Sequence, residues 1–63
     1  MCYRDPNDYR DNYGNLTRDA ITTYATDVAR CGQPLHQSVQ NLTYTERQYV
    51  QTDYNYATSN RGW

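Results

Sequence analysis

The clearest pattern of apolar residues along this chain runs from Leu16 to Cys31. Its apolar positions recur at intervals of three and four residues, while the positions between them are mostly charged residues and threonines. Such spacing places the apolar side chains on one face of an α-helix. The pattern therefore predicts an amphipathic helix over 16–31, with a buried stripe formed by Leu16, Ala20, Ile21, Tyr24, Val28 and Cys31.

Residues at both ends of this pattern favour helix boundaries. Asn15 is a residue type that caps helix N-termini, and Asp19 falls near the first turn, where the helix dipole favours an anion. Arg30 falls in the last turn, Gly32 can adopt the left-handed conformation that closes a helix, and Pro34 prevents continuation. The sequence predicts Asn15 as the N-cap and Gly32 as the C-terminal cap.

Residues 35–57 are compatible with two structures. Helical spacing aligns one apolar stripe, whereas alternation aligns a second set that is rich in strand-forming Thr, Tyr and Val. The polar Glu46-Arg47-Gln48 centre favours the helix, which begins near Leu35 or at Thr43, where Thr43 and Glu46 have capping-box spacing. The helical stripe is Leu35, Val39, Leu42, Tyr49, Val50, Tyr56 and Ala57, and the strand set is Leu42, Tyr44, Val50, Thr52, Tyr54 and Tyr56.

The two ends lack a periodic pattern. Residues 1–14 contain turn chemistry at Asp5-Pro6-Asn7-Asp8 and two Tyr-Arg-Asp triplets, and residues 58–63 form a polar tail ending in Trp63. The predicted fold is mainly α. It is a two-helix hairpin over 15–57, flanked by an extended N-terminal arm (1–14) and an extended C-terminal tail (58–63).

Composition indicates that this hairpin depends on a partner. The 63 residues allow one domain, and they include eight tyrosines, no phenylalanine and seven branched aliphatic side chains. Chains this short bury only about 60% of their unfolded surface. Tyrosine also suits interfaces, because its hydroxyl needs water or a hydrogen-bond partner. We therefore expect the hairpin to be ordered through a partner or an oligomer.

Charge limits the classes of partner. All six basic residues are arginines, and seven acidic residues bring the net charge to −1. A chain without positive net charge is disfavoured as a non-specific ligand of nucleic acid or anionic lipid. The sequence contains no apolar run long enough to span a membrane and no signal segment, so it predicts a soluble chain with no membrane insertion.

Few residues of the sequence are candidates for catalysis or metal binding. Two cysteines without CxxC spacing and a single histidine, His36, disfavour a zinc site. Without evidence of an oxidising compartment, free thiols are favoured over a disulfide between Cys2 and Cys31. His36 could act as a base with Glu46 or Asp53, yet nothing places a nucleophile beside them, and the two carboxylates are predicted to pair with arginine or tyrosine. The sequence predicts no catalytic residues, no metal and no cofactor.

The triplet Asn-Leu-Thr occurs twice, at 15–17 and at 41–43. Each is an N-glycosylation sequon, which is used only in a secretory pathway. Helix-start chemistry accounts for the first triplet without a glycan, and this interpretation is favoured on sequence alone.

These observations predict a non-enzymatic accessory or assembly subunit that stabilises a larger protein complex, or a homo-oligomer, through Tyr, Arg and Trp contacts. Two alternatives remain. One is a self-assembling filament or coat subunit, which the strand-compatible C-terminal half would favour. The other is a peptide that binds single-stranded nucleic acid by stacking bases on tyrosines. The predicted partner-binding residues are Tyr3, Arg4, Tyr9, Arg10, Tyr13, Tyr54, Tyr56, Arg61 and Trp63.

Overall fold

A computed structural model describes residues 3–59, and within this range the chain is helical with no β-strand. A short 3-10 helix over Pro6–Tyr9 precedes three α-helices: α1 (Arg18–Cys31), α2 (Leu35–Ser38) and α3 (Tyr44–Ser59). Helices α1 and α3 pack against each other as a helical hairpin. The mainly α prediction is confirmed, and the strand alternative for the C-terminal half is wrong.

Helix α1 begins two residues later than the sequence pattern predicted. Its N-cap is Thr17, whose hydroxyl accepts a hydrogen bond from the Ala20 backbone N–H at 3.2 Å. Asn15 is not the cap, because both of its backbone groups bond to Asp11. The Asn15 N–H donates to the Asp11 carboxylate, and the Asn15 C=O accepts from the Asp11 N–H. Leu16 precedes the cap and is buried in the core. A threonine hydroxyl next to a buried leucine therefore defines the start of the helix.

The predicted end of α1 is confirmed. Gly32 has φ 85°, and its N–H bonds to the Val28 carbonyl at 3.1 Å. This left-handed conformation favours glycine, since it lacks the Cβ that makes the region costly for other residues. The chain then turns through Pro34 into the short helix α2.

Residues 35–57 do not form one continuous helix. Helix α2 ends at Ser38, and α3 starts only after Thr43. A complete capping box explains the second start: the Glu46 N–H donates to the Thr43 hydroxyl, and the Thr43 N–H donates to the Glu46 carboxylate. Two backbone donors at the start of α3 are satisfied in this way, so the later of the two predicted starts is correct for α3.

The core lies between α1 and α3. Ile21, Tyr24, Ala25 and Val28 of α1 are buried, as the sequence predicted for all but Ala25. The predicted stripe of the second half is partly wrong, since Leu42, Val50 and Ala57 are buried whereas Tyr49 and Tyr56 are exposed. Tyr54 packs against the core instead. Tyr54 lies four residues after Val50, and Ala57 lies three residues after Tyr54, so all three share the inward side of α3 and Tyr56 faces solvent.

Cys31 is disulfide-bonded, contrary to the free thiol that the sequence favoured. The other cysteine of the chain is Cys2, which lies outside the described residues. The error came from the absence of any compartment signal in the sequence, since two isolated cysteines do not by themselves distinguish a thiol from a disulfide.

Candidate protein-binding surface

The N-terminal segment, residues 3–9, is held against the hairpin by a buried amide. Gln33 is 2% exposed, and its carboxamide bonds to both backbone groups of Arg4: the oxygen accepts from the N–H, and the nitrogen donates to the C=O. The Gln33 nitrogen also donates to the Ser38 hydroxyl at 2.9 Å. The Gln33 side chain therefore pairs with both backbone groups of Arg4, much as the backbone of a neighbouring β-strand would.

Tyr24 completes this buried polar cluster. Its ring is fully buried, and its hydroxyl lies 3.1 Å from the Ser38 carbonyl oxygen and 3.3 Å from the Arg4 carbonyl oxygen. Burial is the largest cause that raises the pKa of the Tyr24 phenol, so it stays protonated and can donate. The backbone of Arg4, a predicted partner-binding residue, is thus used inside the protein while its side chain stays exposed.

Tyr9 also contacts the hairpin. Its ring meets that of Tyr24 edge-on, with centroids 5.2 Å apart, and its hydroxyl donates to the Asp27 carboxylate at 2.6 Å. Burial and the hydrogen bond to Asp27 raise the pKa of Tyr9 to about 12. The sequence predicted Tyr9 as a partner contact, and the structure shows it bound within the chain.

Arg10, another predicted partner residue, is engaged as well. Its guanidinium donates to the Asn7 side chain at 2.9 Å and to the Gly14 carbonyl at 3.1 Å, and it lies 4.0 Å from the Glu46 carboxylate. The predicted pairing of Glu46 with an arginine is present. Arg10 therefore links the N-terminal segment to the first turn of α3.

Asp53 is the second carboxylate that was predicted to pair, and its partner is Arg18. The guanidinium of Arg18 makes a two-pronged contact with Asp53, and the Thr22 hydroxyl donates to the same carboxylate at 3.0 Å. These hydrogen bonds, above all that from Arg18, lower the pKa of Asp53. Arg18 also lies over the Tyr49 ring, 4.5 Å from its centroid. This cluster fixes α1 against α3.

The remaining predicted site residues fall into three groups. Tyr3, Tyr13 and Tyr56 are exposed to solvent by 63%, 88% and 70%. Tyr54 is half-buried against the core. Arg61 and Trp63 lie outside the described residues.

One face of α3 collects the exposed polar residues of the hairpin. Tyr44 is 75% exposed, and every other member of the set is exposed too. Their spacing places them opposite the buried Val50 and Ala57. We call this set the outer face of α3, and it consists of Tyr44, Thr45, Gln48, Gln51, Thr52, Asn55 and Tyr56.

The outer face contains no charged residue. Helix α3 has three charged side chains, and all of them bond elsewhere: Glu46 in the capping box, Asp53 with Arg18, and Arg47 to backbone carbonyls. The bonds of Arg47 reach the Leu42 carbonyl at 3.1 Å and the Gln40 carbonyl at 3.3 Å. The outer face itself presents tyrosine rings, carboxamides and threonine hydroxyls, and the exposed Arg47 lies beside it.

Side chains on this face are paired along the helix. The Gln48 amide donates to the Tyr44 hydroxyl at 2.8 Å, and the Gln51 amide donates to the Asn55 side chain at 3.2 Å. A shallow, open depression lies between the rings of Tyr44 and Tyr49 and is lined by Arg47, Gln48, Gln51 and Thr52 as well. The sequence pattern did not indicate Tyr44, Gln48, Gln51 and Asn55 as site residues. Their 44-48-51-55 spacing was a visible signal, but the choice between helix and strand obscured it.

The acidic, histidine and cysteine side chains of residues 3–59 do not form a candidate metal site. No group of three His, Cys, Asp or Glu side chains in this range could hold a metal ion. Glu46 and Asp53, the carboxylates considered for acid–base chemistry with His36, are both engaged in the structural contacts described above. Within the same residues, no helix combines the length and apolar character needed to cross a membrane.

Comparison with known proteins finds no family model, no curated protein and no solved structure that matches this chain.

Proposed function

We propose that this chain is a non-enzymatic protein-binding module, a small accessory or assembly subunit that docks on a larger protein through the outer face of α3. The observation that carries the proposal is the composition of that face. Tyr44 and Tyr56 are 75% and 70% exposed, and the set of residues that forms the outer face with them includes no charged side chain. Protein interfaces are enriched in tyrosine and depleted of charge at their centre.

The chemistry of the face defines the kind of partner. Carboxamides and hydroxyls offer both donors and acceptors, so they fit an uncharged protein surface that presents backbone or amide groups. Tyrosine provides a large contact area at a small cost in side-chain entropy, because it has only two side-chain torsions. Tyr3 and Tyr13 extend the available tyrosine surface at the other end of the chain. The composition suggests that the chain becomes fully ordered on binding a partner, and this expectation fits the proposed role.

Nucleic acid is a poorer partner for these residues. Arg10, Arg18 and Arg47 are occupied by Glu46, Asp53 and backbone carbonyls. Binding of single strands requires a basic groove beside the stacking rings. The outer face of α3 supplies rings without such a groove. The filament alternative was favoured by a segment compatible with a β-strand, and it loses that support because this segment is helix α3.

The test is site-specific photo-crosslinking of the full chain in the cells that produce it. A photoreactive phenylalanine analogue replaces Tyr44 or Tyr56, and the same analogue at Thr23, which is exposed on α1, serves as the control. We expect both tyrosine positions, and not position 23, to crosslink to the same protein.

Affinity for that protein then provides the quantitative measurement. Tyr44→Ser and Tyr56→Ser should each weaken binding by about fivefold or more, as expected for interface tyrosines, while leaving the helical circular dichroism unchanged. Tyr13→Ser is the comparison variant, because Tyr13 is an exposed tyrosine in the loop before α1 and does not belong to the outer face of α3. Crosslinks that are equal at all positions, or unchanged affinity in both α3 variants, would contradict the proposal. A crosslink solely to a second copy of the chain would assign the face to self-association instead.

A further inference from the structure

The two Asn-Leu-Thr triplets occupy the same structural position. Each one immediately precedes a long helix, with its threonine as the N-cap: Thr17 accepts from the Ala20 N–H, and Thr43 accepts from the Glu46 N–H, both at 3.2 Å. The leucines, Leu16 and Leu42, are both buried in the core. Capping explains the threonine and core packing explains the leucine. Neither explains the asparagine.

Both asparagine side chains point away from the protein's own contacts. Asn15 and Asn41 are exposed, and within residues 3–59 neither side-chain amide has a hydrogen-bond partner. The hydrogen bonds of Asn15 involve only its backbone. A bulky group on either amide nitrogen would therefore displace no contact of the fold.

The disulfide at Cys31 is an independent indication of the compartment. Disulfides form and persist in oxidising environments such as the endoplasmic reticulum and the extracellular space, and they are rare in the cytosol. The endoplasmic reticulum is also where asparagines in Asn-x-Thr triplets receive glycans. The redox state of the chain and its two sequons thus point to the same route.

We propose that this protein passes through the secretory pathway and carries N-linked oligosaccharides on Asn15 and Asn41. In each transfer the side-chain Nδ2 forms a bond to the anomeric carbon of an oligosaccharide that is linked to a lipid pyrophosphate. The bond between that carbon and the pyrophosphate oxygen breaks, and the amide proton leaves with the released lipid pyrophosphate. No oxidant or reductant is needed. Transfer to a nascent chain precedes folding, so the later capping bonds of Thr17 and Thr43 do not compete with it.

The first test uses the protein from its natural source. Enzymatic release of N-glycans in water enriched in ¹⁸O converts each glycosylated asparagine to a labelled aspartate, which peptide mass spectrometry locates. We expect the label at Asn15 and Asn41, and not at Asn7, Asn12 or Asn55, which lie outside sequons. Unmodified Asn15 and Asn41 in the natural protein would overturn the proposal.

A second test separates glycan acceptance from helix capping. The full chain is directed into the secretory pathway of a eukaryotic cell by a cleavable leader. Asn15→Gln and Asn41→Gln should each remove one glycan. Thr17→Asp and Thr43→Asp should remove the same glycans while keeping a good capping residue, so the helical circular dichroism of the purified variants should stay unchanged. A parent chain without glycans, or glycans that persist in these variants, would likewise overturn it.

Discussion

At the scale of single residues, the burial of Tyr9 and its hydrogen bond to Asp27 make stability depend on pH. Burial and the Asp27 carboxylate favour the protonated phenol, and they raise its pKa from 10.0 to about 12. A group with a raised folded-state pKa stabilises the fold fully below its unfolded value, and this contribution is lost as pH rises through the folded value. The relevant window is therefore between pH 10 and about 12.

Tyr9→Phe tests this interaction directly. The variant keeps the edge-on ring contact with Tyr24 but removes the donor to Asp27, and we expect a loss of roughly 1 kcal/mol at neutral pH. In an ultraviolet titration, the tyrosinate step near pH 12 should lose the amplitude of one tyrosine, while Tyr24, whose pKa burial also raises, still titrates late. Tyr13→Phe is the control, because Tyr13 is 88% exposed. An unchanged amplitude of the step near pH 12 in Tyr9→Phe would assign that step to another tyrosine.

Asp53 gives the opposite dependence at low pH. Its pKa is lowered from 3.8, chiefly by the hydrogen bond from Arg18. A lowered folded-state pKa contributes stability above the unfolded value, and that contribution is lost as pH falls from about 3.8 through the folded value. Asp53→Asn should reduce stability by about 1 kcal/mol at pH 7, since the charge-assisted pair is partly exposed.

Measuring unfolding by urea from pH 2 to pH 7 checks this assignment. The parent should lose stability over the acid range more steeply than Asp53→Asn does. Asp8→Asn, an exposed carboxylate, serves as the control variant. Identical acid profiles of the parent and Asp53→Asn would show that the Arg18 pair does not contribute.

At the scale of elements, the phase of α1 predicts which substitutions it tolerates. Ile21 is 2% exposed in the core, so Ile21→Asp buries an unpaired charge and should abolish cooperative folding. By helical spacing alone, Thr22 lies off the buried stripe and would be the neutral control. The structure corrects this choice, because the Thr22 hydroxyl donates to Asp53 and a carboxylate there would repel it.

Thr23→Asp is the better control for α1, since Thr23 is exposed. We expect its unfolding midpoint in urea to lie close to that of the parent, within about 0.5 kcal/mol of stability. Equal effects of Ile21→Asp and Thr23→Asp would mean that the helical phase is wrong.

Gln33 holds the backbone of Arg4 in the contact between the N-terminal segment and the hairpin. Gln33→Leu leaves the part-buried N–H of Arg4 without its partner, whereas the Arg4 C=O keeps its bond from the Tyr24 hydroxyl. An unsatisfied N–H of this kind costs about 1–3 kcal/mol when it is shielded from water. We expect hydrogen exchange at the Arg4 amide to accelerate by tenfold or more, while amides in the middle of α1 remain protected. Gln37→Leu, at an exposed position on α2, should change neither. Unchanged exchange at Arg4 in Gln33→Leu would contradict this role for Gln33.

At the scale of the whole molecule, the disulfide of Cys31 compensates for a small core. Only eight hydrophobic side chains are buried among the described residues, and small domains of this kind commonly need a staple or a partner. Cross-links stabilise a fold typically by about 2–4 kcal/mol, mainly through the unfolded chain. Reduction should therefore lower the melting temperature markedly. Cys31→Ser should match the reduced parent, and equal melting of the reduced and oxidised parent would contradict this contribution.

The predicted dependence of folding on a partner belongs to this scale as well. We expect the isolated reduced chain at micromolar concentration to be only partly helical by circular dichroism, and its helicity to rise when its protein partner is added. A cooperative, concentration-independent thermal transition of the reduced monomer would contradict this expectation.

Part of the fold could be predicted from local chemistry. The stripe around Ile21, Tyr24 and Val28 required a helix because no other backbone places those side chains on one face. Gly32 ended that helix for a steric reason that is independent of the surroundings, and Thr43 with Glu46 specified a start through two bonds within one turn. These features depend only on residues close in sequence, and they were visible in it.

Only the tertiary structure decided the features that join distant residues. The choice of Thr17 over Asn15 as N-cap followed from the turn that binds Asn15 to Asp11. The inward position of Tyr54 and the outward position of Tyr56 followed from how α3 meets α1. The binding of Arg4 by Gln33, of Tyr9 by Asp27 and of Arg18 by Asp53 spans 29, 18 and 35 residues of sequence. Side-chain spacing along one element contains no information about such pairs, because their geometry exists only after the elements pack. Which side of α3 faces solvent was decided in the same way, because Val50, Tyr54 and Ala57 turn inward only where α3 packs against α1.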